Sequence, residues 1–102
     1  MSVTINSSYE QTLGQWLVKI IGEVDISNAT QLKDELEKDY KEHETDIIVD
    51  ISDMHYIDSS GLGVIIGVYG NIRGAGHRIV LVSPRDNVKK LLRVTSLDTV
   101  LC

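Results

Sequence analysis

The feature that most constrains the fold is an apolar run in the middle of the chain, Asp46-Ile47-Ile48-Val49-Asp50-Ile51. Its central residues are β-branched and therefore stiff at χ1, which favours an extended backbone. A half-exposed strand shows a polar side chain at every second position, whereas a continuous apolar run is typical of a strand covered on both faces. We therefore expect this run to form an interior strand of an α/β sheet.

Shorter extended segments surround this run. Residues 3–6 and 16–24 are separated by a mostly polar segment, which predicts an antiparallel hairpin. Residues 78–82 form another apolar segment, and residues 99–101 suit a short edge strand. Because helical patterns separate the later strands, the sheet is expected to be mostly parallel with right-handed crossovers.

Two helices have recognisable start signals. Asn28 and Gln31 make a capping pair ahead of the first helix. Ser83 and Pro84 predict the start of the last helix, with the serine as its N-cap and the proline in its first turn. The apolar stripes expected to face the core are Ala29, Leu32, Leu36 and Tyr40 in the first helix and Val88, Leu91 and Leu92 in the last.

The segment after Ser60 combines helical spacing with many glycines. Each interior glycine costs a helix about 1 kcal/mol relative to alanine, so propensity alone argues against a helix. The period and the length still predict one, and the glycines predict that it lies close against the sheet. The apolar positions are Leu62, Ile65, Ile66, Tyr69 and Ile72, and the glycines are Gly63, Gly67, Gly70 and Gly74.

Composition and charge restrict the function classes. A chain of 102 residues with 42% hydrophobic and 25% charged residues fits one globular domain spanning residues 1–102. Neither a membrane span nor a secretory signal is evident, and Cys102 is the single cysteine, so we expect a cytoplasmic protein without a disulfide. Residues 1–66 carry thirteen acidic and four basic side chains, whereas residues 67–102 carry two and six. This balance argues against nucleic acid and favours a protein partner with a basic face.

Residues 56–63, Tyr-Ile-Asp-Ser-Ser-Gly-Leu-Gly, carry the most functional information. They place Ser59 and Ser60 where a helix begins, with backbone N–H groups expected to be free to bind an anion. A serine at such a position is suited to accept and hold a phosphate. The structural alternative is that Asp58 or Ser59 only caps the helix.

Enzymatic readings find little support. A hydrolase nucleophile elbow needs glycine two residues before the serine, where this chain has Ile57. His55 lies near Asp58 and Ser59, but a catalytic triad is assembled from distant segments, so an ordinary loop histidine is the simpler interpretation. The three histidines show no metal-ligand spacing, and we expect neither a metal nor a cofactor.

The glycines at 61, 63 and 67 are a near miss to a dinucleotide-binding fingerprint. Such a fingerprint opens directly after its strand and is followed by an acid about 20 residues later. Here the predicted strand ends at Ile51, ten residues before Gly61, and the later position holds Leu81 or Val82. No lysine follows the glycines, so a phosphate-binding P-loop is excluded as well. Packing is the stronger role for these glycines.

Two motifs resemble a known family. Asp58-Ser59-Ser60-Gly61-Leu62-Gly63, preceded by an apolar strand, closely resembles the signature of bacterial anti-sigma factor antagonists, which are single STAS domains. Gly22-Glu23-Val24-Asp25 resembles the Gly-Glu-Leu-Asp motif at the end of that family's second strand, with valine in place of leucine. The similarity covers nearly the whole chain, although many relatives continue for several residues beyond the position of Cys102.

The resemblance implies a partner switch. In that family the unmodified protein binds an anti-sigma factor that is also a serine kinase of the histidine-kinase-like ATPase fold, which frees the sigma factor. The kinase phosphorylates the antagonist with ATP, the complex breaks, and a metal-dependent serine phosphatase reverses the modification. By position the phosphorylated residue here is Ser59, with Ser60 as its alternative. The docking residues implied are Asp25, Asn28, Asp58, Ser60, Gly61 and Leu62.

These observations predict a single STAS-like α/β domain with a mixed, mostly parallel sheet of four to five strands and helices mainly on one face. We expect a phospho-regulated, non-enzymatic binding module that is monomeric when free and binds neither nucleic acid nor membrane. One rival within the fold is a phosphorylated scaffold subunit of a stress-sensing complex. A rival of another class is a nucleotide-binding domain that uses the stretch from Gly61 to Gly67.

Overall fold

A computed structural model describes residues 2–102. Strands and helices alternate along most of the chain, and a short 3-10 turn at Arg73–Ala75 follows the second helix. The strands are β1 (Val3–Glu10), β2 (Gln15–Val24), β3 (Asp46–Ile57) and β4 (Ile79–Val82). The helices are α1 (Ala29–Glu42), α2 (Ser59–Ile72), α3 (Asp86–Val94) and α4 (Asp98–Leu101).

The four strands form one mixed sheet in the order β1-β2-β3-β4. The β1–β2 pair is an antiparallel hairpin, closed by a turn in which Gly14 adopts a φ of 63°. β2, β3 and β4 are mutually parallel, with α1 and α2 as their crossovers. The predicted hairpin, the mostly parallel sheet and the helical nature of residues 59–72 are therefore confirmed.

The core lies on one face of the sheet. Alternate residues of the strands point into it, and the helices close it from above. The side chains of the opposite face, among them Leu17, Lys19, Ile48 and Asp50, surround a shallow open depression. The prediction that the central apolar run is covered on both faces is thus wrong, because Ile48 is only half-buried there. The strand residues of the core are Trp16, Val18, Ile20, Val24, Ile47, Val49, Ile51, Met54, Ile57, Ile79 and Leu81.

The apolar stripe of α1 packs as predicted, but its capping pair does not form. Ala29, Leu32 and Leu36 are buried, and Tyr40 packs against the core. The side chain of Asn28 binds the loop that precedes α1 instead of capping its first turn.

Three predictions near the C-terminal half are corrected by the structure. β3 continues to Ile57, six residues beyond the predicted end. The N-cap of α3 is Arg85, and Ser83 has a φ of 58° that takes it out of any capping geometry. Val88 and Leu92 are buried in the core as predicted, and Leu91 is partly buried against it. Residues 99–101 belong to α4, whose Leu101 N–H donates to the Leu97 carbonyl at 2.8 Å.

Gly63, Gly67 and Gly70 of α2, and Gly74 just after it, do not bring the helix against the sheet. A Cβ atom added at Gly63, Gly67, Gly70 or Gly74 would meet no heavy atom within 4 Å, so all four face open space. Ile66, expected among the apolar positions, is also exposed. Among residues 2–102, α2 and the other helices are too short or too polar to cross a membrane.

Candidate functional site

The two sequence motifs meet at the ends of neighbouring parallel strands. Val24, the last residue of β2, pairs with Ile57, the last residue of β3. The next N–H along the chain, that of Asp58, donates to the Val24 carbonyl at 3.2 Å. Because parallel strands end at the same edge of a sheet, the loop after Asp25 and the start of α2 lie side by side.

Asp58 is the N-cap of α2. Its backbone is extended, with a φ of −105° and a ψ of −173°, and its Oδ1 accepts the N–H groups of Ser60 at 2.9 Å and Gly61 at 3.2 Å. A carboxylate at this position also complements the positive end of the helix dipole. The expectation of free N–H groups is therefore wrong for these two, because the protein's own carboxylate already binds them.

Ser59 and Ser60 have different surroundings at the first turn of α2. Ser59 is the first helical residue and is exposed to solvent. Ser60 is partly buried and lines the groove between α1 and α2. Of the two hydroxyl groups, that of Ser59 is the one more open to an approaching enzyme.

Gly61 and Leu62 face inward. A Cβ atom at Gly61 would lie 2.7 Å from Cγ1 of both Val24 and Ile57, so only glycine lets the first turn of α2 rest on the two strand ends. The Leu62 side chain is buried in the core. Gly61 therefore allows close packing beneath the loop, and the Leu62 side chain is turned into the core, away from a partner at the surface.

The loop after β2 is held by its own polar side chains. Oδ1 of Asp25 accepts the N–H group of Ser27 at 2.9 Å and also its hydroxyl. These two bonds hold the pKa of Asp25 below its usual value, and the bond from the Ser27 hydroxyl has the larger effect. Asp25 is therefore a carboxylate at neutral pH.

Asn28 braces this loop from inside. Its Oδ1 accepts the N–H of Asp25 at 2.9 Å, and its side-chain amide donates to the carbonyl of Glu23 at 2.9 Å. The side chain is almost completely buried. Asn28 therefore fixes the position of Asp25 relative to the end of β2, and very little of it can reach a partner.

The residue that sequence reasoning missed is Ile26. It lies at the tip of the same loop and is 82% exposed, the highest value among the large apolar side chains of residues 2–102. A single apolar residue in a polar loop, Asp-Ile-Ser-Asn, was the available signal. Its position next to Asp25 gives this edge an apolar contact point beside a charged one.

The family model described as STAS domain matches residues 6–101. The chain belongs to the STAS domain family. The anti-sigma-B factor antagonist of Bacillus subtilis is 27% identical over 99 residues, covering 97% of this STAS domain and 90% of the relative.

Solved structures agree with this STAS domain in fold. A candidate anti-sigma factor antagonist of Thermotoga maritima is 30% identical, with a TM-score of 0.79 over 95% of this chain and 82% of that one. The anti-sigma factor antagonist SpoIIAA in its unphosphorylated form gives a TM-score of 0.82 at 20% identity, covering 97% and 86% of the two chains. Its phosphorylated form gives 0.72 at 19% identity, covering 97% and 89%. The STAS domain is therefore one of the anti-sigma factor antagonist type, as its two motifs predicted.

A groove runs along this STAS domain from the candidate site. It lies between α1 and α2, has a volume of about 480 Å³, and begins at Ser60. Gly63 and Gly67 leave one wall without side chains, while Lys33 and Glu37 of α1 stand on the other. Within residues 2–102, no group of three or more His, Cys, Asp or Glu side chains is placed to hold a metal ion.

Proposed function

We propose that this STAS domain is a phospho-regulated binding module that acts on an anti-sigma factor. In its unmodified form it binds an anti-sigma factor that is also a serine kinase, which frees the sigma factor. Phosphorylation of Ser59 ends that binding, and a serine phosphatase restores it. The protein catalyses no reaction of its own. The observation that carries the proposal is the exposed Ser59 at the first position of α2, joined to the Asp25 loop by the 3.2 Å bond between Asp58 and Val24.

The surface around Ser59 supports a protein partner. Asp25 and Asp58 give it negative charge, and Ile26 gives it an exposed apolar side chain. A partner with basic groups around a small apolar pocket would be complementary to this arrangement. Oδ1 of each carboxylate accepts two hydrogen bonds within its own loop, so a basic group of the partner would meet Oδ2.

The local hydrogen bonds support a switch by exclusion. A phosphoserine adds about −1.5 to −2 charges. Since Asp58 already occupies the N–H groups of Ser60 and Gly61, a phosphate on Ser59 has to displace that carboxylate or remain in solvent. Inside a docked interface the same phosphate would be desolvated beside Asp58 and Asp25, and burying an unpaired charge costs several kcal/mol. Docking is therefore the step that the phosphate opposes.

One feature of the structure supports the nucleotide-binding alternative, and others oppose it. Because β3 reaches Ile57, the glycine-rich helix does open directly after its strand, contrary to the expectation of a long loop. However, a bound phosphate would need the N–H groups that Asp58 already binds, and Gly61 is packed against Val24 and Ile57. These contacts favour the binding-module function.

The proposal is tested by recovering the partner and the modification together. Tagged wild-type protein, Ser59→Ala and Ser59→Asp are expressed in the source bacterium, and co-purifying proteins and phosphopeptides are identified by mass spectrometry. We expect wild type to carry phosphate on Ser59, Ser59→Ala to retain an ATPase-fold kinase, and Ser59→Asp to lose it. Phosphate on Ser60 in the wild type, with none on Ser59, would contradict the residue assignment. Equal recovery of the kinase with all three proteins would contradict the switch.

A further inference from the structure

The edge that carries the candidate site continues onto the open face of the sheet. Val24 and Ile57, the last pair of the β2–β3 ladder, have their side chains in the core. Successive residues of a strand point to opposite faces, so the preceding pair, Glu23 and Tyr56, lies on the open face. Because neighbouring strands are about 4.8 Å apart, these two side chains project from the sheet side by side.

Tyr56 is a large side chain that remains exposed at this edge. It is 42% exposed and lies near the loop whose tip, Ile26, is also exposed. Within residues 2–102, the Tyr56 ring contacts no other ring and its hydroxyl makes no hydrogen bond. A partly exposed aromatic side chain with an unused hydroxyl is typical of the residues that dominate the binding energy of protein interfaces.

Acidic side chains accompany Tyr56 on the open face. Asp53, further along the same face, is paired with Lys19, whose Nζ lies 3.1 Å from Oδ2 of Asp53. Glu23 has no such partner within residues 2–102. The open face therefore presents an unpaired carboxylate beside an aromatic ring. This combination suits an arginine side chain, because a guanidinium group can stack on the ring and donate to the carboxylate at the same time.

We propose that the docking surface extends over the edge of the sheet and that Tyr56 and Glu23 receive an arginine side chain of the protein partner. The inference rests on the proposed function, since this partner is the one that docks at Ser59. Asp25 and Asp58 give the rest of that surface the same negative charge, so one basic face of the partner is complementary to both parts. The surface is also continuous, because each residue of the Glu23–Tyr56 pair lies two positions before one of these carboxylates.

The aromatic contact is tested by the affinity of Tyr56 variants, made in the Ser59→Ala protein, for the kinase that Ser59→Ala retains. We expect Tyr56→Ala to lower the affinity about tenfold or more and Tyr56→Leu about fivefold, whereas Tyr56→Phe keeps the ring and should change it by less than about twofold. Leu13→Ala, in the exposed hairpin turn at the opposite end of β2, is the matched control and should bind normally. Thermal unfolding shows whether each variant is folded, and Tyr56→Leu provides the comparison if Tyr56→Ala is not.

The shared arginine is tested by a double-mutant cycle between Tyr56 and Glu23. We expect Glu23→Gln to lower the affinity about fivefold when the Tyr56 ring is present and much less in Tyr56→Leu, because residues that bind the same group are not additive. Asp34→Asn, on the exposed side of α1, removes the same charge elsewhere and should change the affinity little. Equal effects of Glu23→Gln with and without the ring would overturn the shared site.

The outcomes separate this inference from the proposed function. If Ser59→Ala retains no kinase, the proposed function is contradicted, and the site on the open face is contradicted with it. If the kinase binds Tyr56→Ala or Tyr56→Leu as tightly as the protein that keeps Tyr56, only the extension onto the open face is overturned. The Asp25 loop and Ser59 would then form the whole docking surface.

Discussion

The N–H group of Asp58 donates to the carbonyl oxygen of Val24 at 3.2 Å. This bond joins the ends of β2 and β3, where the two family motifs, residues 22–25 and 58–63, lie. Because of this bond, a displacement of one loop displaces the other. A partner therefore contacts the Asp25 loop and Ser59 as one surface.

The glycines of α2 should respond in opposite directions to alanine. Gly61→Ala should lower the free energy of unfolding by about 1–3 kcal/mol, because its methyl group would lie 2.7 Å from Val24 and Ile57. Gly67→Ala meets nothing within 4 Å and should raise the free energy of unfolding by up to about 1 kcal/mol. Urea unfolding of the two variants checks this. A destabilised Gly67→Ala would show that the open side of α2 has a contact in the free protein.

Asp58→Ala should destabilise the start of α2. The variant leaves the N–H groups of Ser60 and Gly61 without their acceptor, and loss of an N-cap costs about 0.5–2 kcal/mol. Amide hydrogen exchange at Ser60 and Gly61 should accelerate, whereas exchange in β2 should follow only the global change. Asp86→Ala, in the exposed first turn of α3, is the matched control and should leave α2 unaffected. Unchanged protection of Ser60 and Gly61 in Asp58→Ala would argue against the cap.

Alanine variants of Asp25 and Asn28 should differ in their effects: the first should lower the affinity for the partner, and the second should lower the stability of the fold. Asp25→Ala removes a half-buried carboxylate whose bonds reach only Ser27 of the same loop, so it should weaken binding to the partner, mainly through kon, and leave the melting temperature nearly unchanged. Asn28→Ala leaves the Asp25 N–H and the Glu23 carbonyl without their side-chain partner and should cost about 1–3 kcal/mol. Surface plasmon resonance and thermal unfolding measure the two effects. A large stability loss in Asp25→Ala with unaltered affinity would assign Asp25 a structural role only.

Phosphorylation of Ser59 should leave the fold intact. Amide NMR spectra of the two forms should differ around residues 55–66 and in the Asp25 loop, because the phosphate competes locally with Asp58 for the N–H groups of α2. Ser59→Ala treated with the same kinase and ATP is the control and should show no change. Widespread shifts across β1 and β4, or loss of helix, would point to a conformational switch instead of exclusion from the interface.

The sequence was sufficient for those elements whose pattern is local. The hairpin, the helical stripe of α1 and the placement of Asp58 ahead of a helix all follow from spacing and from capping chemistry. α4 was not predictable in this way, because Thr99 and Val100 favour strands by propensity. Burial of Leu101 in the core instead selects a helical turn.

Side-chain partners that are distant in sequence account for most of the other differences. Asn28 precedes α1 like a typical cap, but the end of β2 offers it a backbone N–H and a carbonyl that no pattern reveals. Glu35 and Asp39 are four residues apart, as on the solvated face of an ordinary helix. The sequence does not reveal that Asp39 is buried and accepts the hydroxyl of Ser7 on β1. The helix was predicted correctly, but Gly63, Gly67 and Gly70 were predicted to face the sheet and face solvent instead, because spacing does not show which side of a helix meets the sheet.

The parallel pairing of β2 with β3 also determines when the surface becomes available during folding. The hairpin brings neighbouring residues together, but the β2–β3 ladder joins Gln15 to Asp46 across all of α1, so its loop must close before any of those contacts form. Val24 and Ile57 are the last pair of that ladder. A chain that has paired only the Gln15 end of the ladder therefore holds its two motif loops apart. A kinase that needs both loops would phosphorylate the finished fold and ignore the partly folded chain.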